Sequence, residues 1–378
     1  MKKLLFVVNV DWFFISHRLP IALKAMEAGY EVHVLCTIID KAEYLENLGL
    51  IVHPFMFSRS GKNIASEINS IFKLYRQVKD IKPDLVHLVT IKPVLYGGIV
   101  ARLARVPCVV SAISGLGFLF VARKGLKSRL LLSLVLFLYR IAMGHPNQIV
   151  IFQNPTDMNI LLDAGGVSKD KVRIIRGSGV NLQKFPLRPE NTGIPVVIMA
   201  SRLLKDKGVF EFVDAARIVK SKGISARFQL VGEPDIENPE SVTVKQVQSW
   251  KAEGIVECLG FRSDIASLYS QSNIVCLPSY REGMPKSLIE AAACGRVVIT
   301  TNVPGCRDAI ESDVTGVLVP ARNAKVLAET IERLINDIQL RQKMGLAGRD
   351  LAEREFSIEK VVTTHLDIYS ELEAGVFQ

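Results

Sequence analysis

IVCLPSYREGMPKSLIEAAACGRVVIT, Ile274 to Thr300, decides how the rest of the chain is read. Its first four residues are apolar without alternation, as in a strand covered on both faces. A loop with Gly283 and Pro285 follows, then a small-residue helical stretch to Ala293, then a second apolar run from Val297 to Thr300. Pro at a helix's first turn, with Gly just before it, marks the start of that helix. Strand, helix, strand is the repeating piece of a parallel sheet, because parallel neighbours must be joined by a crossover.

Working outward, the same alternation runs from end to end. In the first half the expected strands are Lys3–Val10, Glu31–Cys36, Ile51–Phe57, Asp84–Val89, Cys108–Ile113, Gln148–Gln153 and Val172–Arg176, separated by helices such as Pro20–Ala28, Glu67–Lys79 and Val94–Ala104. In the second they are Val196–Ala200, Arg227–Val231, Val256–Leu259, Ile274–Leu277, Val297–Thr300 and Gly316–Val319. The class is α/β. A chain of 378 residues exceeds one ordinary core, and the pattern restarts after Lys184–Pro195, where Pro186, Pro189, Gly193 and Pro195 break both periodicities and mark the expected linker. We therefore expect two Rossmann-like domains facing across a cleft, residues 1–185 and 186–360, with a helix at 361–378 returning to the N-terminal one. Ligands of such sheets sit beyond the carboxyl ends of the strands.

The net charge of +9 is uneven. Residues 1–190 hold 25 Lys/Arg against 13 Asp/Glu, and residues 191–378 hold 22 against 25. No acidic residue stands between Asp84 and Asp157, whereas Lys92, Arg102, Arg105, Arg123, Lys124, Lys127, Arg129 and Arg140 do, a distribution suited to an anionic partner. Within it, RKGLKSRLLLSLVLFLYRIAM (Arg123–Met143) is apolar nearly all round at its centre but too short between Arg129 and Arg140 to span a bilayer. It reads either as a buried helix or as an interfacial segment facing anionic headgroups. The six cysteines are scattered without a CxxC pair, so buried thiols in a reducing cytoplasm are expected. MKKLLFVVNV lacks a cleavage site and reads as the first strand rather than a leader.

The chemistry concentrates after two strands. Glu282 precedes the helix opened by Gly283, Met284 and Pro285, and Glu290 lies about one and a half turns inside it. Free N–H groups and the helix dipole make that start a seat for phosphate, and the carboxylates can accept hydroxyl hydrogen bonds at either end of a nucleotide-sugar. After Val196–Ala200 come Arg202 and Lys207, a fork and a mobile ammonium suited to a departing diphosphate. Singly, each feature is more often a solvated surface charge.

Together they carry a resemblance. SRLLKDKG (Ser201–Gly208), LVGE (Leu230–Glu233), LGFRSDI (Leu259–Ile265), REGMPKSLIEAAACG (Arg281–Gly295) and TGVLVP (Thr315–Pro320) resemble, in order and spacing, the C-terminal domain of family 4 of the retaining glycosyltransferases, of GT-B fold. The resemblance implies that Arg202 and Lys207 hold the donor phosphates, that Glu290 holds the ribose, that Glu282 meets the donor sugar, and that Gly260, Phe261 and Arg262 border the base. The first half is similar, less tightly, to the bacterial branch that extends lipid-linked glycans, through SHRLP (Ser16–Pro20) and VSAISGLGF (Val110–Phe118). It departs from the family in having Asn9–Val10–Asp11–Trp12–Phe13 where many members carry a Gly-Gly loop, and Ser114–Gly115 where many carry a histidine.

The resemblance implies a hexose or N-acetylhexosamine moved, with retention, from a UDP-sugar to a polyprenyl-diphosphate-linked glycan to form an α-linkage. Arg202, Lys207 and the helix dipole can supply the charge that a divalent cation supplies elsewhere, and no DxD motif follows a strand, so neither metal nor cofactor is expected. His17, Arg18, Arg59 and Lys92 are candidate acceptor contacts. A peripheral position on the cytoplasmic face of the membrane follows, with no nucleic-acid partner. The rivals are a non-hydrolysing UDP-sugar 2-epimerase, disfavoured by the scarcity of histidine in the C-terminal motifs, and a non-enzymatic nucleotide-sugar or nucleic-acid binding module, which leaves Glu282 and Glu290 without a purpose.

Overall fold

The computed structural model of the chain describes residues 1–57, 64–116, 126–236 and 238–376, with the side chains of 64 and 126–131 outside the description. It divides into two compact units, Met1–Ser178 with Glu359–Gln378, and Gly179–Ile358.

The first unit holds strands β1 (Lys2–Val10), β2 (Tyr30–Thr37), β3 (Ile51–Pro54), β4 (Leu85–Val89), β5 (Cys108–Ile113), β6 (Gln148–Phe152) and β7 (Val172–Ile174). They form one sheet in the order β3-β2-β1-β4-β5-β6-β7. The second holds β8 (Val196–Ala200), β9 (Arg227–Val231), β10 (Glu257–Gly260), β11 (Ile274–Leu277), β12 (Val297–Thr301) and β13 (Gly316–Val319), ordered β10-β9-β8-β11-β12-β13. Among the described residues every strand pairing within the two sheets is parallel, with Leu5 beside Val86 and Val275 beside both Val298 and Ile198. Both sheets are therefore doubly wound, each with a switch point beside its first strand, β1/β4 and β8/β11. The strand runs are apolar because helices cover both faces. Leu4, Leu5, Phe6, Val197, Ile198 and Ile299 have no exposed surface at all.

Three features departed from simple periodicity. The expected linker Lys184–Pro195 packs into the second unit. Arg296 donates to the carbonyls of Arg188 (2.6 Å) and Ser270 (3.2 Å), Arg349 donates to that of Phe185 (3.0 Å), and Glu190 pairs with Arg341 at 2.8 Å. Its prolines end local structure without freeing the chain, because side chains from distant helices satisfy its carbonyls.

The final helix, Ile358–Gly375, supplies core to the first unit. Tyr369 is fully buried, with its hydroxyl 2.6 Å from Nδ1 of His87, and His365 stacks on His87 with centroids 5.5 Å apart. Burial holds both imidazoles uncharged, His365 at a pKa of about 3.

The helix Leu126–Ala142 settles neither reading of its segment alone: Tyr139 is buried, whereas Leu134 and Phe137 are more than half exposed. Among the described residues no helix is long and apolar enough to cross a membrane. The cysteines are free, and all but Cys258 are buried.

The Glu190–Arg341 pair is nearly enclosed, at 6% and 4% side-chain exposure. Removing one partner strands the other charge, so Glu190→Ala should cost about 3–5 kcal/mol. Urea unfolding measures it; a loss under about 1 kcal/mol, typical of an exposed pair, would show that the segment is not anchored this way.

Candidate active site

Three loops of the second unit are laced together at the carboxyl ends of β8, β9 and β10. A Cβ on Gly232, after β9, would overlap the carbonyl oxygen of Ser201, after β8, so no other residue permits this approach. Gly232 N–H donates to the carbonyl of Gly260 at 2.9 Å. Gly260 has φ +69°, and beyond it Phe261 projects with 74% of its surface exposed. Arg262 is drawn away into a bidentate pair with Asp264, at 2.7 and 2.5 Å.

The loops after β8 and β11 meet just as closely. Lys205–Lys207 is a single 3-10 turn ended by Gly208 at φ +77°, where a Cβ would overlap the carbonyl oxygen of Pro278. Tyr280 N–H and Ser279 Oγ–H both donate to the carbonyl of Asp206, at 2.7 and 2.9 Å. The Tyr280 hydroxyl reaches onward to Glu211 Oε1, 2.6 Å away, in the first turn of the helix Val209–Ser221. Those contacts aim Lys207. Its Nζ lies 2.5 Å from Oε1 of Glu282, with both side chains about 15% exposed. Glu282 is seated in turn by its N–H to the carbonyl of Pro304, 3.1 Å, and by the close approach of Gly305.

The helix after Glu282 spans Lys286–Ala293, with Pro285 at its N-cap rather than inside its first turn and Gly283 and Met284 leading into it. Glu290 lies within that helix, 3.6 Å from Lys286. Burial pushes its carboxyl above the ordinary value, against the opposing pull of Lys286 and Lys184. Arg202 stands apart from the Lys207–Glu282 pair. More than half exposed, it has its guanidinium 3.9 Å from Asp235.

Of the four acceptor candidates, His17 ends the short helix Asp11–His17 that follows β1, its ring parallel to Phe13 at 4.0 Å. Lys92 is 3.0 Å from Glu67, which also accepts from Tyr96, so the basic run is partly neutralised by an acid from an earlier helix. Arg18 is only 2% exposed, donates to the carbonyl of His17, and feels desolvation that brings its pKa to about 10. It is a core residue near Tyr369 rather than a surface contact. Arg59 lies outside the described residues.

Sequence reasoning missed Tyr280, Ser279, Lys184 and Lys286. Tyr280 and Ser279 stood inside the quoted motif, but their role is to hold a backbone carbonyl 73 or more residues away, which no local pattern reveals. Among the described residues no group of three or more His, Cys, Asp or Glu is placed to hold a metal.

Two family models match. One described as glycosyl transferases group 1 covers residues 183–351, and one described as glycosyl transferase 4-like covers residues 3–154. The chain is 31% identical to the N,N'-diacetylbacillosaminyl-diphospho-undecaprenol alpha-1,3-N-acetylgalactosaminyltransferase of Campylobacter jejuni, over 95% of this chain and 98% of that protein. It is 26% identical to the UDP-Gal:alpha-D-GlcNAc-diphosphoundecaprenol alpha-1,3-galactosyltransferase of Escherichia coli, over 91% and 89%. An Anabaena protein solved with UDP and glucose shares the fold at a TM-score of 0.78 and 19% identity, over 98% of this chain and all of that one.

A carboxyl whose folded pKa is raised favours the folded state while protonated and opposes it once ionised. The penalty from Glu290 therefore begins above the ordinary carboxyl value of 4.5 and grows through the raised one. Ligand-free Glu290→Gln should melt above wild type at neutral pH, and the gap should close as pH falls below 4.5. A gap independent of pH would show that ionisation of Glu290 is not its source.

Proposed function

We propose, from the premise that the chain belongs to the glycosyl transferases of group 1, that it transfers a hexose or N-acetylhexosamine from a UDP-sugar to a polyprenyl-diphosphate-linked glycan, with retention, to form an α-linkage. That it is a glycosyltransferase follows from the family; the finer reading rests on one observation. Lys207 and Glu282, delivered by loops after adjacent strands, meet at 2.5 Å directly ahead of a helix N-terminus. A nucleoside diphosphate bound there meets an ammonium and free N–H groups, while a carboxylate stands where a sugar hydroxyl would donate.

The same chemistry describes the reaction. Negative charge grows on the departing diphosphate, and a fixed ammonium with an oriented dipole stabilises it more in the transition state than in the ground state. Arg202 exchanges Asp235 for a phosphate, Glu290 receives the ribose hydroxyls, and Phe261 borders the base. The leaving β-phosphate oxygen takes the acceptor hydroxyl's proton, so no protein nucleophile is invoked. These cations make a metal ion unnecessary.

The acceptor is assigned to the first unit. The two relatives' names specify diphospho-undecaprenol-linked acceptors and α-1,3 linkages, and the basic excess of residues 1–190 fits such an anionic lipid. The exposed Leu134 and Phe137 fit a peripheral contact with the membrane carrying it.

Lys207→Ala should keep the fold and lower kcat by about two to three orders of magnitude, the scale for losing one charge-stabilising donor. A variant within about twofold of wild type would remove Lys207 from the mechanism. Release of UDP that depends on an added lipid-linked acceptor separates transferase from epimerase and from binding module. We expect that release to survive EDTA; loss restored only by Mg²⁺ or Mn²⁺ would overturn the metal-free reading.

A further inference from the structure

The helix Lys286–Ala293 begins with a residue that local helix rules disfavour. A cation in the first turn opposes the helix dipole, whose positive end lies there. Lys286 is paired with Glu290 four residues on, its Nζ 3.6 Å from Oε1. Lysine before glutamate is the weaker order for such a pair, because each charge then sits toward the end of the dipole that repels it. Helix stability therefore does not account for the pair, and a local rule broken beside a ligand site points to function.

The surroundings of Glu290 show what the cation does. The glutamate side chain keeps 14% exposure and that of Lys286 keeps 30%, so the carboxyl is sheltered but within reach of a ligand. Burial works against its ionisation. Two groups that feel its charge are themselves neutral and cannot offset that cost. Tyr269, fully buried on the helix Ile265–Gln271, is held protonated by its own burial and then by the Glu290 charge. Cys294, which caps the end of the Lys286 helix, has its thiol pushed up to about 11, first by burial and with Glu290 adding to it. The two cations that favour the carboxylate are Lys286 and Lys184. Lys184, from the segment before β8, is exposed, stands over the Phe185 ring at 6.0 Å and pulls more weakly than Lys286. The charged form of Glu290 thus depends chiefly on Lys286.

We infer that Lys286 is a positioning residue for the donor, holding Glu290 as a carboxylate that accepts from the ribose hydroxyls without itself touching the nucleotide. A carboxylate is an acceptor at both oxygens, whereas a protonated carboxyl commits one oxygen as a donor and accepts more weakly. A ribose diol offers two O–H donors, so the ionised form suits it and the neutral form does not. The inference rests on Glu290 receiving the ribose hydroxyls and adds what keeps it in the form that can. Direct contact of Lys286 with a phosphate is the rival chemistry, and it would act on every nucleoside diphosphate alike.

Titration calorimetry of the full chain with UDP and with deoxyuridine diphosphate, which lacks one ribose hydroxyl, separates the two. Ionisation of the phosphates is common to both ligands and cancels in the ratio of their affinities. Wild type should prefer UDP by about tenfold at about pH 7, the scale of one hydrogen bond to a charged acceptor. In Lys286→Met the preference should shrink to about twofold at the same pH and return toward wild type as the pH is raised, since a carboxyl without its cation ionises later. Lys286→Arg, which keeps the charge, should follow wild type. Lys286 is partly exposed, so neither change disturbs the core. A preference in Lys286→Met equal to that of wild type at every pH, even with both nucleotides weakened, would overturn the inference and leave the donor reading in place. A displaced pH profile in Lys184→Met but not in Lys286→Met would overturn it by giving the role to Lys184. Equal affinity of wild type for the two nucleotides, or no binding of UDP at all, would instead defeat the assignment of Glu290 to the ribose, and the inference with it.

Discussion

Parallel pairing is the constraint from which the rest of the molecule follows. A parallel strand cannot be reached by a tight turn, so every connection in both sheets is a crossover and every loop that leaves a strand does so at the same edge. In the second unit this delivers Ser201, Gly232, Gly260, Pro278 and Glu282 to one rim although they are spread over 82 residues of sequence. Chemistry at that rim is then a matter of how closely the loops can approach. Gly232 and Gly208 lie at the two tightest approaches, against the carbonyls of Ser201 and Pro278, and both carry a positive φ. Without those glycines the Lys205–Lys207 turn would be pushed off the β11 loop, and Lys207 would lose its aim.

The Lys207–Glu282 contact shows how little an isolated residue needs to be unusual to matter. Neither group is deeply buried, and each would be ordinary on a surface. What sets them apart is that each is held by its backbone: Lys207 through the carbonyl of Asp206, Glu282 through the loop of Pro304 and Gly305. Preorganisation of this kind lets a charge act on a ligand without first being reoriented.

Much of this was legible before any coordinates, and the reason is local. The described strands stood close to where apolar runs placed them, most plainly central ones such as β4, β6 and β11, because a strand buried on both faces is nearly all apolar, whereas the edge strands β3 and β7 are only partly buried. The positions of Arg202, Lys207 and Glu282 just beyond strand ends were legible because in a doubly wound sheet the motif loops follow the strands, so motif and topology pointed to the same places. What escaped notice depends on contacts between remote segments. The proline-rich stretch looked like a tether because prolines stop local structure, yet Arg296, Arg341 and Arg349 reach across to hold it. Arg18 looked like a surface cation because nothing nearby in sequence reveals that Tyr369 and His365 close over its neighbourhood. Lys92 looked free because its acid partner comes from a helix that precedes the acid-poor stretch.

The return of the last helix has a consequence for how the chain is made. The Gly179–Ile358 unit has its full complement of residues before the helix Ile358–Gly375 is made, whereas the first unit lacks Tyr369 and His365 until that helix has followed. During translation the half that begins first is thus completed second, with His87 uncovered in the interval. A chain stopped a few turns early would carry an intact second half and an open first one.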